Sequence, residues 1–273
     1  MQAKNITLSD GNSIPPIGLG LWKVQDETVF NNMFETAVKV GYRHFDCAQA
    51  YGNEQFLGSN WKRSGLNRKD LFITTKILVQ NFGQKKRRNS FELSLNKLQT
   101  NYVDLLLIHF PGPLWLRQAQ WQALEAIKRS GQAKSIGVSN HSVEQLRAIE
   151  SYAKEMPAIN QIEMHVFMQQ QKLREYCQKH NILIEAYSPL AHGSVMNDVV
   201  IQRIADKHKK TYSQVMLRWT AEQGAVPLPK TVTAKRIQED FDIFDFKLDK
   251  EDLGQIASLD RRFRTLWHSI LFG

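Results

Sequence analysis

The stretch YVDLLLIH, residues 102–109, is a short apolar run that stops at a histidine. Six other runs of this kind also stop at polar or ionisable side chains, namely Asp46, Lys76, Ser139 with Asn140, Gln161, Tyr187 and Lys230. Such runs are typical of parallel strands, which are buried on both faces. Strands that end in reactive groups on one side predict the face of a (β/α)8 barrel that carries the active site.

Strand and helix patterns alternate along the chain. The predicted strands begin near Ile17, Tyr42, Leu71, Tyr102, Ala133, Ala158, Ile182 and Ala225. Helical patterns lie near 28–40, 54–63, 88–99, 115–129, 142–153, 169–179, 198–222 and 233–239, and the seventh connection is long enough for two helices. This alternation predicts an α/β fold, a (β/α)8 TIM barrel. The turn SDGN (9–12) predicts an N-terminal β-hairpin, and residues 249–259 predict an extra C-terminal helix.

The size and composition favour one domain spanning residues 1–273. The chain is 42% hydrophobic and has no linker-like or low-complexity stretch. No apolar stretch approaches the ~18 residues that a membrane span requires. The N-terminal residues lack the apolar segment of a secretory signal. Cys47 and Cys177 have no metal-ligand spacing, so we expect reduced thiols, no metal site and a cytoplasmic protein.

The formal net charge of +9 is unusual. A nucleic-acid surface would explain it, but the basic cluster Lys85–Arg88 has no interleaved aromatic residues. Net charge bears on steering and solubility and not on the fold. We therefore expect no nucleic-acid and no membrane partner. The positive field would also attract a small polyanionic cofactor. Because barrels of this kind are often monomers, we expect a monomer.

Asp46, Tyr51, Lys76 and His109 form the predicted centre of the site. Singly, each has an ordinary explanation, such as a helix cap, a packed ring, a surface lysine or a structural histidine. Together they predict a proton-transfer device. A tyrosine phenol has a pKa of ~10, an adjacent ammonium lowers that pKa, and a carboxylate keeps the ammonium charged. We therefore expect Tyr51 to be a general acid tuned towards working pH, with His109 orienting a substrate oxygen.

The remaining strand ends suit a cofactor that supplies the attacking species. Tyr187 offers a ring for stacking, and the amides of Asn140 and Gln161 match a carboxamide. Lys230 and Thr231 precede a predicted helix that contains Arg236, which favours a phosphate site. Solvated surface charge is the ordinary alternative for these two cations. No G-x-G-x-x-G motif occurs in the chain, which disfavours a Rossmann site.

At these residues the chain resembles an aldo-keto reductase. The matching segments run from Ile17 to Phe246 and are GYRHFDCAQAYGNE (41–54), LFITTKI (71–77), YVDLLLIHFPGP (102–113), SIGVSNHSVEQL (135–146), NQIEMH (160–165), AYSPLA (186–191) and PKTVTAKRIQEDFDIFDF (229–246). They are most similar to the microbial branch that includes 2,5-diketo-gluconate reductases and prostaglandin F synthases. The resemblance implies the reduction of an aldehyde or ketone to an alcohol by hydride transfer from NADPH.

The resemblance also implies roles for individual residues. Tyr51 would protonate the carbonyl oxygen, Asp46 and Lys76 would tune it, and His109 would orient the substrate. The cofactor positions would be Gly20, Leu21, Trp22, Ser139, Asn140, Gln161, Tyr187, Ser188, Leu190, Lys230, Thr231, Val232, Arg236, Glu239 and Asp240. Among these, Lys230, Thr231 and Arg236 would grip the adenosine 2′-phosphate, which favours NADPH over NADH. Independently of the resemblance, we expect a substrate pocket lined by Trp22, Tyr51, Phe82, His109 and Phe110, with Trp267 as a further candidate; ordinary core packing is the alternative for Phe82 and Trp267.

The chain departs from the family pattern at several positions. Asp240 stands where the family often has Asn, Phe110 replaces a common Trp, and His192 occupies a loop position where small residues are usual. The tail after Leu259 is short, and the family uses this tail to close the substrate site. The substrate class is therefore not carried over by the resemblance.

Two alternatives remain open at this point. A non-catalytic NADP-binding barrel, acting as a sensor or structural protein, would bind the cofactor without turnover. A phosphate-sugar isomerase or aldolase would use Lys76 as a neutral Schiff-base lysine. The neighbouring Asp46 argues against that second alternative, because a carboxylate raises the pKa of a lysine.

Overall fold

The computed structural model describes residues 4–81, 84–193 and 197–265, with the backbone alone for 84–89. Within these residues the predicted eight parallel strands are confirmed. They are β3 (Leu19–Gly20), β4 (His44–Asp46), β5 (Phe72–Ile77), β6 (Val103–Ile108), β7 (Ala133–Ser139), β8 (Ile159–Glu163), β9 (Leu183–Tyr187) and β10 (Ala225–Leu228). The ring closes because Gly18 N donates to Pro227 O (3.1 Å) and Gly20 N donates to Pro229 O (2.9 Å).

The helices surround the strands. They are α1 (Glu27–Val40), α2 (Glu54–Arg63), α3 (Gln84–Lys97), α4 (Leu114–Arg129), α5 (Val143–Glu150), α6 (Gln171–Lys179), α7 (Val199–His208), α8 (Tyr212–Glu222), α9 (Ala234–Phe241) and the added α10 (Lys250–Ala257). The seventh connection holds two helices, as expected. Ser142 caps α5 in a reciprocal pair with Gln145. Of the helices in the described ranges, none is both long and apolar enough to cross a membrane.

The interior of the barrel has two layers of different chemistry. The predicted hairpin, β1 (Ile6–Thr7) and β2 (Ser13–Ile14), lies at the N-terminal ends of the strands. Its residues Leu8 and Ile14 are buried in an apolar cluster with strand residues such as Phe72, Leu107 and Val226. Above this apolar plug the barrel is polar, and its buried side chains there are His44, Asp46, Thr74, Lys76, Gln161 and Glu185. Hydrogen bonds join Lys76 to Asp46, Asp46 to Gln161 and Gln161 to Glu185, and a further contact joins His44 to Thr74.

Candidate active site

Lys76 is the centre of the polar layer. Its ammonium donates to Asp46 Oδ1 (2.6 Å), to the carbonyl oxygen of Cys47 (3.0 Å) and to Tyr51 Oη (3.2 Å). A lysine ammonium has three donors, and all three are used here. Tyr51 reaches this point because the 3₁₀ turn 49–51 folds the chain back after β4. Since Oη accepts from Lys76, the phenolic hydrogen of Tyr51 is free to point towards the cavity.

The net pKa of Tyr51 differs from the sequence-based expectation. Burial raises the pKa of Tyr51 to about 12, although the adjacent Lys76 ammonium acts in the opposite direction. The prediction of a phenol tuned below its ordinary pKa is therefore wrong for the net value and right for the influence of Lys76. Burial removes water from the phenolate, and this cost exceeds the benefit of one ammonium that also serves Asp46. Tyr51 thus carries its proton throughout the neutral range.

His109 and Phe110 form one wall of a cavity above Tyr51. The His109 ring lies edge-on to Tyr51, with centroids 5.9 Å apart, and stacks on Phe110 at 4.6 Å. The cavity has a volume of about 390 Å³. Among the residues proposed for the site, its lining includes Gly20, Trp22, Asp46, Tyr51, His109, Phe110, Ser139, Asn140, Gln161, Tyr187, Ser188, Leu190 and Lys230. Volumes of this size suit small ligands.

The ends of β7, β8 and β9 form the opposite wall. Asn140 has a left-handed backbone (φ 63°), and its amide donates to His109 O (3.2 Å) and to Ser139 Oγ (3.0 Å). Tyr187 Oη donates to Asn140 Oδ1 (2.7 Å), which holds the half-buried ring in place. Gln161 Nε2 donates to Asp46 Oδ2 and to Glu185 Oε2, both at 2.8 Å. Both N–H groups of Gln161 are thereby committed, so its carbonyl oxygen is the atom it can offer to a ligand.

The predicted phosphate site lies beside this cavity. Lys230 and Arg236 are exposed cations, and Thr231 Oγ1 accepts from the backbone N–H of Thr233 (3.2 Å) at the start of α9. Thr233, the N-cap of α9, makes no side-chain capping bond, so N–H groups of the first turn are available to an anion. Val232 precedes the N-cap of α9, and Glu239 lies on that helix.

Asp240 is buried on α9. Burial, followed by the charge of Glu239, raises the pKa of Asp240 to about 7. Its Oδ2 has no hydrogen-bond partner in the described part of the chain.

Leu21 is absent from the lining of the cavity, and some lining residues were not anticipated. The Leu21 side chain is in the core, and its backbone N–H donates to Asp46 O (3.0 Å). Phe82 and Trp267 lie outside the described residues. The unanticipated lining residues are Lys23, Ala50, Pro189, His192, Leu228 and Pro229, and each lies within a residue or two of one that was anticipated.

His192 is of special interest because it was noted only as a departure. Its ring meets Trp22 edge-on at 5.6 Å, and its Nε2 lies 2.9 Å from Ser188 Oγ. The sequence reasoning also missed His44 and Glu185 beneath the site, although a carboxylate inside the apolar run ILIEAY was a visible signal.

Comparison with known proteins agrees with the family resemblance seen in the sequence. Residues 16–261 match the family model of the aldo/keto reductase family. Methylglyoxal reductase DkgA of Escherichia coli strain K12 is 42% identical over 259 residues, which cover 94% of this chain and 93% of that protein. Glyoxal reductase of Bacillus subtilis strain 168 is 40% identical over 256 residues, covering 94% and 92%. A Bombyx mori aldo-keto reductase, crystallised in complex with NADP, has a TM-score of 0.91 at 30% identity, covering 97% of this chain and 95% of that one.

Proposed function

We propose that Tyr51 is the general acid of this chain, which belongs to the aldo/keto reductase family and is an NADPH-dependent carbonyl reductase. The observation that carries the proposal is the single ammonium of Lys76, which contacts both Asp46 (2.6 Å) and Tyr51 (3.2 Å) at the cavity floor. Because Tyr51 Oη accepts a hydrogen bond from Lys76, its phenolic hydrogen can be donated into the cavity.

The residues around the cavity fit the cofactor. Ser139, Asn140 and Gln161 would hold the carboxamide, the Tyr187 ring would face the nicotinamide, and Lys230 with Arg236 would pair with the 2′-phosphate. The uncapped first turn of α9 adds backbone donors at the same place. When bound, NADPH supplies the hydride that the carbonyl carbon receives.

The raised pKa of Tyr51 is compatible with its role as an acid. The oxygen of a carbonyl that gains a hydride becomes an alkoxide, and hydroxylic oxygens of this kind have pKa values near that of water, ~15.7. A phenol with a pKa of about 12 therefore gives up its proton downhill. Lys76 then stabilises the phenolate, since it is already hydrogen-bonded to Oη. His109, at the same corner, would orient the substrate oxygen.

Lys76 itself is unsuited to Schiff-base chemistry. Burial lowers the pKa of Lys76, but the charge of Asp46 and the contact with Tyr51 raise it, and the net direction is upward. A charged lysine has no lone pair for attack on a carbonyl. This excludes Lys76 from the role that an aldolase mechanism requires.

We propose small reactive aldehydes, including 2-oxoaldehydes, as the substrates. The cavity of about 390 Å³ must accommodate both the nicotinamide and the substrate, so little volume remains for the latter. Trp22, Phe110 and Leu228 supply apolar walls, and Tyr51 with His109 supplies one polar corner. The relatives named for methylglyoxal and glyoxal reduction support the same class.

A substrate panel tests the proposal. NADPH oxidation by the purified protein is followed with methylglyoxal, glyoxal, an aromatic aldehyde and a bulky polycyclic ketone. We expect turnover of the small aldehydes at a much higher kcat/KM than that of the bulky ketone. NADPH binding without turnover of any carbonyl compound would favour the non-catalytic alternative. Equal efficiency on the bulky ketone would refute the size argument.

The state of the protein in the cell is part of the same proposal. We propose a cytoplasmic monomer that folds as one domain. Both cysteines are buried and free, which suits a reducing compartment, and one hydrophobic core includes residues from Ile17 to Leu259. Sedimentation of the purified protein at micromolar concentration would test the monomer.

A further inference from the structure

A second carboxyl lies beneath the active site, and the proposed mechanism does not use it. Glu185 is fully buried on β9, in register with Gln161 of β8 and Val226 of β10. One nitrogen, Gln161 Nε2, donates to Asp46 Oδ2 and to Glu185 Oε2 at 2.8 Å each. The two carboxyl groups are therefore separated by a single amide inside the barrel.

His44 is the other neighbour of this carboxyl. Its Nε2 lies 3.4 Å from Glu185 Oε1 and 3.2 Å from Thr74 Oγ1. Its Nδ1 faces Gly18, where an added Cβ would come within 2.5 Å of that atom, so the ring is tightly enclosed. Burial, assisted by the charge of Lys76, lowers the pKa of His44 to about 3. His44 is thus a neutral hydrogen-bonding group and not a counter-ion.

The charges around Glu185 decide its state. β4 contributes Asp46 and the neutral His44, β5 contributes Lys76, and β10 contributes no titratable group over 225–228. Glu163, higher on β8, is held by the N–H and O–H of Thr265 (2.6 Å each). Among the described residues, Lys76 is therefore the cation that acts on both Asp46 and Glu185. Two carboxylates sharing one ammonium in a dry interior are unfavourable, so one of them keeps its proton.

We propose that Glu185 is a positioning residue of the active site, a neutral acid whose ionisation suppresses proton donation from Tyr51. While Glu185 is neutral, the positive charge of Lys76 is offset by one carboxylate only, and it also stabilises the phenolate of Tyr51. A negatively charged Glu185 offsets the charge of the same ammonium, which destabilises the phenolate and makes Tyr51 a weaker acid. The inference rests on the proposed function of Tyr51. Burial, followed by the charge of Asp46, raises the pKa of Glu185 to about 8, so this change falls in a measurable range.

Glu185→Gln tests this directly, because a glutamine amide mimics the neutral acid. Its carbonyl oxygen can accept from Gln161, and its amide group can face His44. Hydride transfer is measured in single turnovers with NADPH and an uncharged aromatic aldehyde. Because ionised Glu185 slows proton donation, the ratio of the variant rate to the wild-type rate should rise between about pH 6.5 and about pH 9, one unit beyond a pKa of about 8, and the rise reaches about tenfold if the ionised form donates no proton.

The matched control is Glu125→Gln. Glu125 is a buried carboxylate on α4 that accepts from the backbone N–H of Lys154 (2.7 Å), away from the cavity. Its ratio to wild type should not change with pH. A flat ratio for Glu185→Gln, or a wild-type rate that does not fall up to about pH 9.5, would overturn the proposal. The second result needs no variant, so it holds even if Glu185→Gln fails to fold.

Unfolding provides a readout independent of catalysis. The native-state pKa of Glu185 is raised from 4.5 to about 8, so its stabilising contribution is complete below about 4.5 and lost by about 8. The wild type should therefore lose stability relative to Glu185→Gln across that interval. A difference that is constant with pH would overturn the proposal. If no aldehyde is turned over, the proposed function fails, and this titration still reports the state of Glu185.

Discussion

Replacing Lys76 by methionine separates the structural role of the buried ion pair from its catalytic role. The side chains of Lys76 and Asp46 are only 1% and 5% exposed, and their charged atoms are 2.6 Å apart. Methionine fills a similar volume and removes the charge, which leaves Asp46 with Gln161 as its remaining side-chain partner among the residues described. Breaking such a pair from one side costs about 3–5 kcal/mol of unfolding free energy. Turnover should fall by about 100-fold or more, because Tyr51 loses the ammonium that stabilises its phenolate.

The double variant Asp46→Asn with Lys76→Met is the matched control. It removes both charges, so it should recover much of the lost stability while remaining inactive. Denaturant unfolding near neutral pH and at acid pH measures the first effect. The deficit of Lys76→Met should shrink at acid pH, where an orphaned carboxylate can take up a proton. Wild-type stability for Lys76→Met, or a double variant no more stable than the single one, would refute the account of the pair.

Two further predictions concern the cofactor and the packing of the barrel. Lys230→Ala and Arg236→Ala should each weaken NADPH binding by about 10–100-fold while leaving NADH binding nearly unchanged, because each loses a charge-assisted contact of about 1.5–3 kcal/mol. Fluorescence titration measures the affinity for both cofactors, and Lys235→Ala is the matched surface control. Equal weakening of the binding of both cofactors would contradict the 2′-phosphate assignment. Gly58→Ala should destabilise the fold by about 1–3 kcal/mol, because the new Cβ would collide with the backbone carbonyl oxygen of residue 97. An added Cβ at Gly254 would have no neighbour within 4 Å, so Gly254→Ala should stabilise α10 by up to about 1 kcal/mol. Thermal unfolding would show whether these two substitutions change the stability in opposite directions.

The sequence was sufficient for the architecture because each strand carries its own signal. A buried parallel strand is a continuous apolar run, and the residue at its carboxyl end falls on the active face whatever the details of packing. Tyr51, Lys76 and His109 could thus be placed together before any distance was known. The caps of α5 at Ser142 and of α1 at Gly41 are similarly local, because each depends on the residue type at one helix end.

Properties that depend on the summed environment could not be read from the sequence. The pKa of Tyr51 is a balance between burial and one ammonium, and only coordinates reveal which effect is larger. The resemblance does not say which part of Leu21 would contact a cofactor, and only the coordinates show that its side chain is buried in the core. Glu185 and Gln161 lie 24 positions apart in sequence and meet only because β8 and β9 pair in one particular register. Strand register is a property of the assembled sheet, so such a pair escapes a linear inspection.

Tyr51→Phe addresses the central claim most directly, because it deletes the phenolic oxygen and keeps the ring. With NADPH saturation verified by fluorescence titration, single-turnover reduction of methylglyoxal should slow by about 100- to 10,000-fold while cofactor affinity stays within about twofold of wild type. A variant that binds NADPH normally and transfers hydride at the wild-type rate would show that the proton comes from another group.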